Sequence, residues 1–320
     1  MSPSSVRVAV VQPEAVYFDP ERNLAEACAW IRRAGAERPD LILLPEAYVG
    51  GYPWGLRFGT AIGGRTEEGR TWFARYHAGA IDVPGPATAA LGEAAREVGA
   101  TVAIGVIERD STFGGGTLYC TLLYFGPDGT LLGKHRKLKP TAGERTVWGE
   151  GDGSTLPVVD LPAGGRVGGL ICWENYMPLA RTAMYAKGVQ IWVAPTADAR
   201  DRWQATMRHI AVEGRCFVLG CNQFVTRSQY PDDPFLAAEL GDRPDVLSPG
   251  GSVIVSPHGD VLAGPLLGEA GVLTATLDLG EIARARFDFD VVGHYARPDV
   301  FRLVVDETPH PPVAFSPDRA

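Results

Sequence analysis

One cysteine stands apart from the other four. Cys172 lies in the run Gly-Arg-Val-Gly-Gly-Leu-Ile-Cys-Trp-Glu-Asn-Tyr-Met-Pro-Leu, residues 165–179. Residues 167–171 read as a buried strand. A helix is expected from about Pro178, because proline suits the first helical turn, where its missing N–H is not needed. Cys172 then sits on a strand-to-helix elbow, its thiol near the positive end of a helix, where a thiolate is favoured over a thiol. This is the cysteine counterpart of the turn that exposes a serine nucleophile in other α/β hydrolases. The remaining cysteines fit the commoner role of a small buried hydrophobe. Cys28 lies on a helical face, and Cys120, Cys216 and Cys221 lie in apolar, strand-like runs.

A nucleophilic cysteine needs a base to take its proton. None of the six histidines is obviously placed for this; His135 is the nearest candidate. Three charged residues lie at or just past predicted strand ends, where sites assemble in layered α/β proteins. They are Glu46, Lys137 and, a few residues later in its loop, Glu144. Each has an ordinary alternative: Glu46 as a cap, Lys137 as a solvated hairpin residue, Glu144 as a partner of Arg145. Pro45-Glu46, however, follows a four-residue apolar run and puts a carboxylate at the edge of the core. Such a carboxylate acquires a raised pKa and becomes a usable base. A nearby lysine favours the thiolate and stabilises negative charge developing on a substrate. The backbone N–H of Trp173, just past the cysteine, is a second donor to that charge. Glu174 is expected to anchor the elbow rather than act as an acid.

The elements that must position these residues are legible from hydrophobic periodicity. Strands are expected at 6–12, 41–44, 101–107, 117–125, 130–136, 156–160, 167–171, 189–194, 216–222, 252–256, 260–263 and 272–277. Helices are expected at 21–36, around 67–76, at 88–98, from 178 to about 187, and at 202–213. Gly126-Pro127-Asp128-Gly129 marks a hairpin. The long segment 47–86, rich in glycine and aromatics, is too long to be an idle connection. Residues 225–251 read as a proline- and aspartate-rich loop. The pattern turns irregular from Arg284, so residues 1–283 are expected to form a single domain. Residues 284–320 then form an arm against the body or a neighbouring subunit. Strands and helices alternate early and hairpins intervene, which suggests a layered α/β domain with mixed sheets.

With 320 residues, 45% hydrophobic and 21% charged, the chain can bury a self-sufficient core without disulfides or metal. A net charge of −8 argues against a general nucleic-acid surface. Five cysteines, with no CxxC pair, favour a reducing compartment. No secretory signal is read in residues 1–7, and no stretch is apolar enough to span a bilayer. A cytoplasmic protein is expected.

The chain resembles the nitrilase superfamily of carbon-nitrogen hydrolases. The matching stretches are Leu-Leu-Pro-Glu46, His-Arg-Lys137-Leu-Lys-Pro-Thr-Ala-Gly-Glu144-Arg and Cys172-Trp-Glu-Asn-Tyr-Met-Pro-Leu, in the family's order. The likeness spans roughly residues 6–301. The last stretch, with His-Tyr-Ala-Arg-Pro-Asp-Val-Phe at 294–301, is similar to the true nitrilase branch rather than to amidases or carbamoylases. The resemblance implies a four-layer α-β-β-α sandwich and a Glu46–Lys137–Cys172 constellation, with Glu144 positioning Lys137 and the substrate. It implies a thioimidate and then a thioester on Cys172, no metal and no organic cofactor. It also implies homo-oligomers built from dimers, often extended into spirals. Tyr52, Trp54 and Tyr176, with Trp173, are candidate pocket residues, which would suit an aryl or arylaliphatic nitrile; a small aliphatic nitrile or cyanide stays open. Three rivals also remain: an amidase or carbamoylase of the same superfamily, an idle binding module that kept the fold, and a structural zinc site, for which Cys216 and Cys221 lack the spacing.

Overall fold

The structure, a computed structural model, describes residues 5–314. Residues 1–4 of the stretch read for a secretory signal and residues 315–320 of the expected arm lie outside the described residues. The first half contains β1 (Ser5–Gln12), α1 (Pro20–Gly35), β2 (Leu41–Leu43), the small ribbon β3 (Thr60–Ala61) and β4 (Gly64–Arg65), and α2 (Glu67–Ala78). It continues with α3 (Pro86–Val98), β5 (Thr101–Arg109), β6 (Leu118–Phe125) and β7 (Leu131–Arg136). Next come β8 (Val159–Asp160), β9 (Arg166–Gly169), α4 (Pro178–Ala186), β10 (Ile191–Pro195), α5 (Asp201–Gly214) and β11 (Phe217–Cys221). Last are β12 (Phe224–Thr226), α6 (Pro234–Leu240), β13 (Val246–Val255), β14 (Val261–Leu267), β15 (Gly271–Asp278) and α7 (Gly280–Asp288).

Two mixed sheets face each other. The first runs β15-β1-β2-β5-β6-β7; the second runs β12-β13-β11-β10-β9-β8, with β14 beside β13. In the first, β1, β2 and β5 are parallel and the rest pair antiparallel. In the second, β9, β10 and β11 are parallel. Alternation along each strand sends one set of side chains inward and the other outward. Val6, Val8, Val10, Leu41 and Leu43 meet Val167, Ile191, Val193 and Leu219 between the sheets. Their alternates Ala9, Val11, Ile42 and Ile104 meet Ile31, Leu91 and Ala95 of α1 and α3. On the other side Trp192, Ala194 and Val218 meet Met184, Trp203, Met207 and Ile210 of α4 and α5. Three apolar seams make the four-layer α-β-β-α sandwich that the resemblance implied.

Several expected boundaries shift. Residues 225–251 are not a plain loop: they contain most of β12, the helix α6 and the start of β13. Asp233 caps α6 by accepting from Phe235 N–H, and Pro234 takes the first turn. Pro249, Gly250 and Gly251 read as loop residues, yet β13 runs through them with its register to β14 shifting beyond Gly250. The 156–160 strand shortens to two residues. Helix α7 straddles Arg284, burying Ile282 and Ala285, so the irregular segment starts at Phe289. Two buried positions in one short helix are too few for a periodic signal. Residues 289–314 contain no helix or strand; they touch the body where the His310 N–H donates to Asp152 at 2.8 Å and where Lys187 pairs with Glu307. Among the described residues no helix is long and apolar enough to cross a membrane.

Candidate active site

Four segments leave the C-terminal ends of co-directional strands at one edge of the sandwich. From β2 the chain enters Pro45-Glu46-Ala47, with Ala47 at φ 50°. The turn can seat on β5 because residue 105 is glycine: a Cβ there would lie 2.3 Å from the Pro45 oxygen and 2.7 Å from Glu46 Cα. Gly105 N–H donates to that oxygen at 3.0 Å. From β7 comes Lys137, whose N–H continues the ladder to the Cys120 carbonyl at 2.8 Å. A 3₁₀ turn, Ala142–Thr146, then brings Glu144 back toward it. From β9 comes Cys172, at φ 51° and opening a second 3₁₀ turn, Cys172–Tyr176. Non-glycine residues rarely adopt this left-handed conformation, and such strain gathers at functional sites. From β10 comes Thr196, whose hydroxyl lies 3.1 Å from Cys172 Sγ.

Glu46, 91 residues before Lys137 in the chain, meets Lys137, which also holds Glu144. Lys137 Nζ donates to Glu46 Oε1 at 2.6 Å and to Glu144 Oε2 at 2.7 Å, and the Lys137 and Glu46 side chains are fully buried. Glu144 is fixed from two more sides: Oε1 accepts the Tyr52 hydroxyl at 2.6 Å, and Oε2 the Thr141 N–H at 2.6 Å. Gln223 Nε2 donates to the Glu46 carbonyl at 2.7 Å. Glu46 Oε2 has no hydrogen-bond partner among the described residues. Burial pushes the Glu46 carboxyl up to about 7, with the Glu144 charge adding to the rise and Lys137 and the Cys172 thiol opposing it. Burial works to lower the Lys137 pKa, but Glu46, Cys172 and Glu144 together hold it well above the ordinary lysine value.

The Cys172 thiol departs from the sequence expectation. A helix end favours a thiolate, yet burial, followed by the charge of Glu46, pushes this thiol well up, against Lys137 and the Thr196 hydroxyl. Desolvation thus outweighs the partial charge of a short 3₁₀ turn and favours the thiol over the thiolate beside Glu46.

The elbow is held by buried polar side chains. Asn175 Nδ2 donates to the carbonyls of Leu170 and Cys172, both at 2.8 Å, and its Oδ1 accepts the Trp192 indole N–H at 2.8 Å. Glu174 Oε2 accepts the Ile171 N–H at 2.7 Å and faces His135 Nε2 at 2.9 Å; its Oε1 accepts the Leu138 N–H at 2.6 Å. His135, the nearest histidine to a base in the sequence, is thus spent on Glu174 and on the Thr155 carbonyl. Trp173 N–H belongs to the first turn of the 3₁₀ helix, where leading N–H groups lack intrahelical partners.

A cleft of about 370 Å³ opens over the thiol. Tyr52, Trp54 and Trp173 line it, with Glu144, Cys172 and Asp198. Tyr176 does not. In a 3₁₀ helix residues three apart share a face, so Tyr176 falls behind Trp173, edge-on at 5.6 Å, with its other side against Trp203. Sequence reasoning missed Thr196, Asp198, Arg200 and Pro249. Asp198 accepts the Trp173 indole N–H at 2.9 Å and pairs with Arg200, which lies over the Trp173 ring. Thr196 and Asp198 follow directly on the strand read at 189–194, so the strand-end rule that found Glu46 also pointed there. A wider groove of about 820 Å³, between α1 and residues 228–231, contains none of these groups. Among the described residues no cluster of histidine, cysteine or carboxylate is placed to hold a metal ion.

A family model described as carbon-nitrogen hydrolase matches residues 7–287. The chain is 57% identical over 304 residues to an aliphatic nitrilase of Sinorhizobium fredii (strain HH103), covering 95% of this chain and 96% of that one. It is 52% identical to nitrilase 3 of Arabidopsis thaliana, covering 98% and 90%. It is 53% identical to a bifunctional nitrilase/nitrile hydratase of Lupinus angustifolius, covering 98% and 89%. Among solved structures, the C. elegans NitFhit protein matches with a TM-score of 0.72 at 20% identity, covering 98% of this chain and 70% of that one. An amidase from Nesterenkonia sp. matches at 0.63 and 23% identity, covering 90% and 96%. These two share the fold. The chain belongs to the carbon-nitrogen hydrolase family. Within that family it is an enzyme of the nitrilase branch.

Proposed function

We propose that this enzyme hydrolyses an organic nitrile to the carboxylic acid and ammonia, with Cys172 as nucleophile. The observation that carries the reading is the buried Glu46–Lys137–Glu144 chain beside a strained cysteine at the floor of an open cleft. Glu46 takes the thiol proton as sulfur bonds to the nitrile carbon, and the proton passes to nitrogen, leaving a covalent thioimidate. Lys137 and the Trp173 N–H stabilise the charge developing on that nitrogen. Water, losing a proton to Glu46, adds to the carbon. Cleavage of the C–N bond releases ammonia and leaves a thioester, and a second water frees the acid and restores the thiol. Cleavage of the C–S bond instead would release the amide.

The aromatic walls formed by Tyr52, Trp54 and Trp173 suit an aryl or arylaliphatic nitrile. An aliphatic substrate is the second reading, favoured by the name of the relative at 57% identity. The same thiol, base and lysine would serve an amidase, so the deciding experiment is a panel of aliphatic, aryl and arylaceto nitriles beside their amides, with ammonia, acid and amide all measured. Acid and ammonia from a nitrile, with poor turnover of the free amide, is the expected result; preferential amide turnover overturns the reading. We further place the enzyme in the cytoplasm as a homo-oligomer built from dimers, with the irregular C-terminal segment as a contact arm. Exposed Tyr295, Phe301 and Val304 suit such a contact, and light scattering on the purified enzyme tests it.

A further inference from the structure

Lys137 leaves a strand of the first sheet and Cys172 a strand of the second, so no backbone ladder sets the distance between them. One carboxylate does bridge the two. Glu174 Oε1 holds the N–H of Leu138, one residue beyond Lys137, at 2.6 Å. Its Oε2 holds the N–H of Ile171, one residue before Cys172, at 2.7 Å. His135 closes on the same oxygen, its Nε2 at 2.9 Å, while its Nδ1 lies 2.6 Å from the Thr155 oxygen. Both side chains are fully buried.

The partners of the ring dictate its protonation. The Thr155 carbonyl only accepts hydrogen bonds, and both Glu174 oxygens already act as acceptors of backbone N–H groups, so a proton on each ring nitrogen satisfies every partner. The resulting imidazolium balances a carboxylate that would be costly to bury alone. Burial disfavours the charged ring, but the charge of Glu174 and its hydrogen bond prevail and raise the His135 pKa. The titratable neighbours Cys120 and Tyr124 stay neutral, since burial raises both.

We propose that Glu174 and a doubly protonated His135 form a buried ion-pair clamp that sets the spacing between Lys137 and Cys172, which makes Glu174 and His135 positioning residues for hydrolysis. The kinetic part rests on the nucleophile and lysine roles proposed above; the ion pair itself does not.

Nitrogen-15 NMR of the histidine-labelled full chain reads the ring directly, with His135 assigned by the signal lost in His135→Gln. Protons on both nitrogens at about pH 7.5, where an ordinary histidine is mainly neutral, are expected. A ring with one bare nitrogen at that pH overturns the clamp. Glu174→Gln keeps the shape but turns an amide NH₂ toward backbone or imidazole donors. Its kcat on a nitrile is expected to fall about 100-fold, with KM nearly unchanged because the cleft lining is untouched. The double variant His135→Gln/Glu174→Gln removes both charges and lets one amide face the other. It is expected to regain about tenfold over Glu174→Gln. A merely structural role predicts the reverse, with the double variant worse than either single one. A double variant no faster than Glu174→Gln, or a folded Glu174→Gln with wild-type kcat, overturns the proposal. Should Glu174→Gln not fold, the NMR measurement on the unaltered chain still decides. If that chain turns over no nitrile at all, the reaction has been misread, and the protonation state of His135 is still answered.

Discussion

Glu46 and Glu174 are both carboxylates buried at the same edge of the sandwich, and they are opposites. Glu174 accepts two backbone N–H groups and faces His135, so both of its oxygens are satisfied. Glu46 has Lys137 and the weak Cys120 thiol on one oxygen and, among the described residues, no partner on the other. An unsatisfied buried acceptor costs on the order of 1–3 kcal/mol, and its carboxyl is pushed up to about 7 by that burial. A fully bonded carboxylate holds geometry; a half-bonded one is available to take a proton. The chain keeps the two functions on separate residues within reach of one cysteine.

The sharpest way to break the contrast is to remove the free oxygen. Glu46→Gln keeps the shape and the Lys137 contact but abolishes the base, and kcat/KM is expected to fall about 1,000-fold. Cys172→Ala should abolish turnover altogether while the chain still folds, which circular dichroism checks. The same carboxylate predicts a pH dependence. Glu46 must be ionised to accept the thiol proton, and its pKa is raised to about 7. In the free enzyme kcat/KM should therefore fall as pH drops through about 7, rather than near the ordinary carboxylate value; a profile flat from pH about 5 to 8 would remove Glu46 as the base. Next in size, Lys137→Ala leaves Glu46 and Glu144 buried together without their shared cation. Loss of about 100-fold or more in kcat is expected from the missing charge stabilisation, with a lower melting temperature from the unpaired carboxylates.

A backbone change should reach Glu46 without touching any polar group. Gly105→Ala drives a methyl into the Pro45–Ala47 turn, where every close atom is backbone and cannot swing away. Overpacking of this kind costs about 1–3 kcal/mol. Thermal unfolding should show that loss, and kcat should drop with it because the turn carries the base. A Gly105→Ala variant with wild-type kcat would show that Glu46 does not depend on this seat.

Much of this was legible beforehand, and the reasons are local. Glu46 and Cys172 announce themselves because a continuous apolar run stops abruptly at a polar residue, and that pattern survives in one dimension. The four layers follow from strands whose two faces are both apolar, together with helices that carry one apolar stripe. The upward push on the thiol is not legible beforehand, because helix direction can be read from sequence, whereas the depth of burial that opposes it is tertiary. Helix α6 gives too short a run for periodicity to mark, although Asp233-Pro234 is a cap followed by a first-turn proline. Tyr176 is a pocket candidate in the sequence only as an aromatic close to Cys172. The intervening 3₁₀ turn changes which side chains share a face, and nothing in Trp-Glu-Asn-Tyr marks it.

The smallest expected effects separate the residues that touch the thiol from those behind it. Thr196 Oγ1 lies 3.1 Å from Cys172 Sγ and itself accepts the Asp198 N–H at 2.9 Å. Thr196→Val removes the donor to sulfur while keeping the branched shape. A hydrogen bond to a charged group contributes about 1.5–3 kcal/mol, so kcat should fall about tenfold, provided that the bond strengthens as the sulfur gains charge. Tyr176, by contrast, packs its ring against Trp173 and Trp203, and its hydroxyl accepts from the Thr206 hydroxyl at 3.3 Å. Tyr176→Phe deletes that single exposed hydrogen bond, and kcat and KM should both stay within about twofold of the wild type. A large rise in KM for Tyr176→Phe would return this ring to the substrate and mean that the elbow rearranges when the cleft is filled.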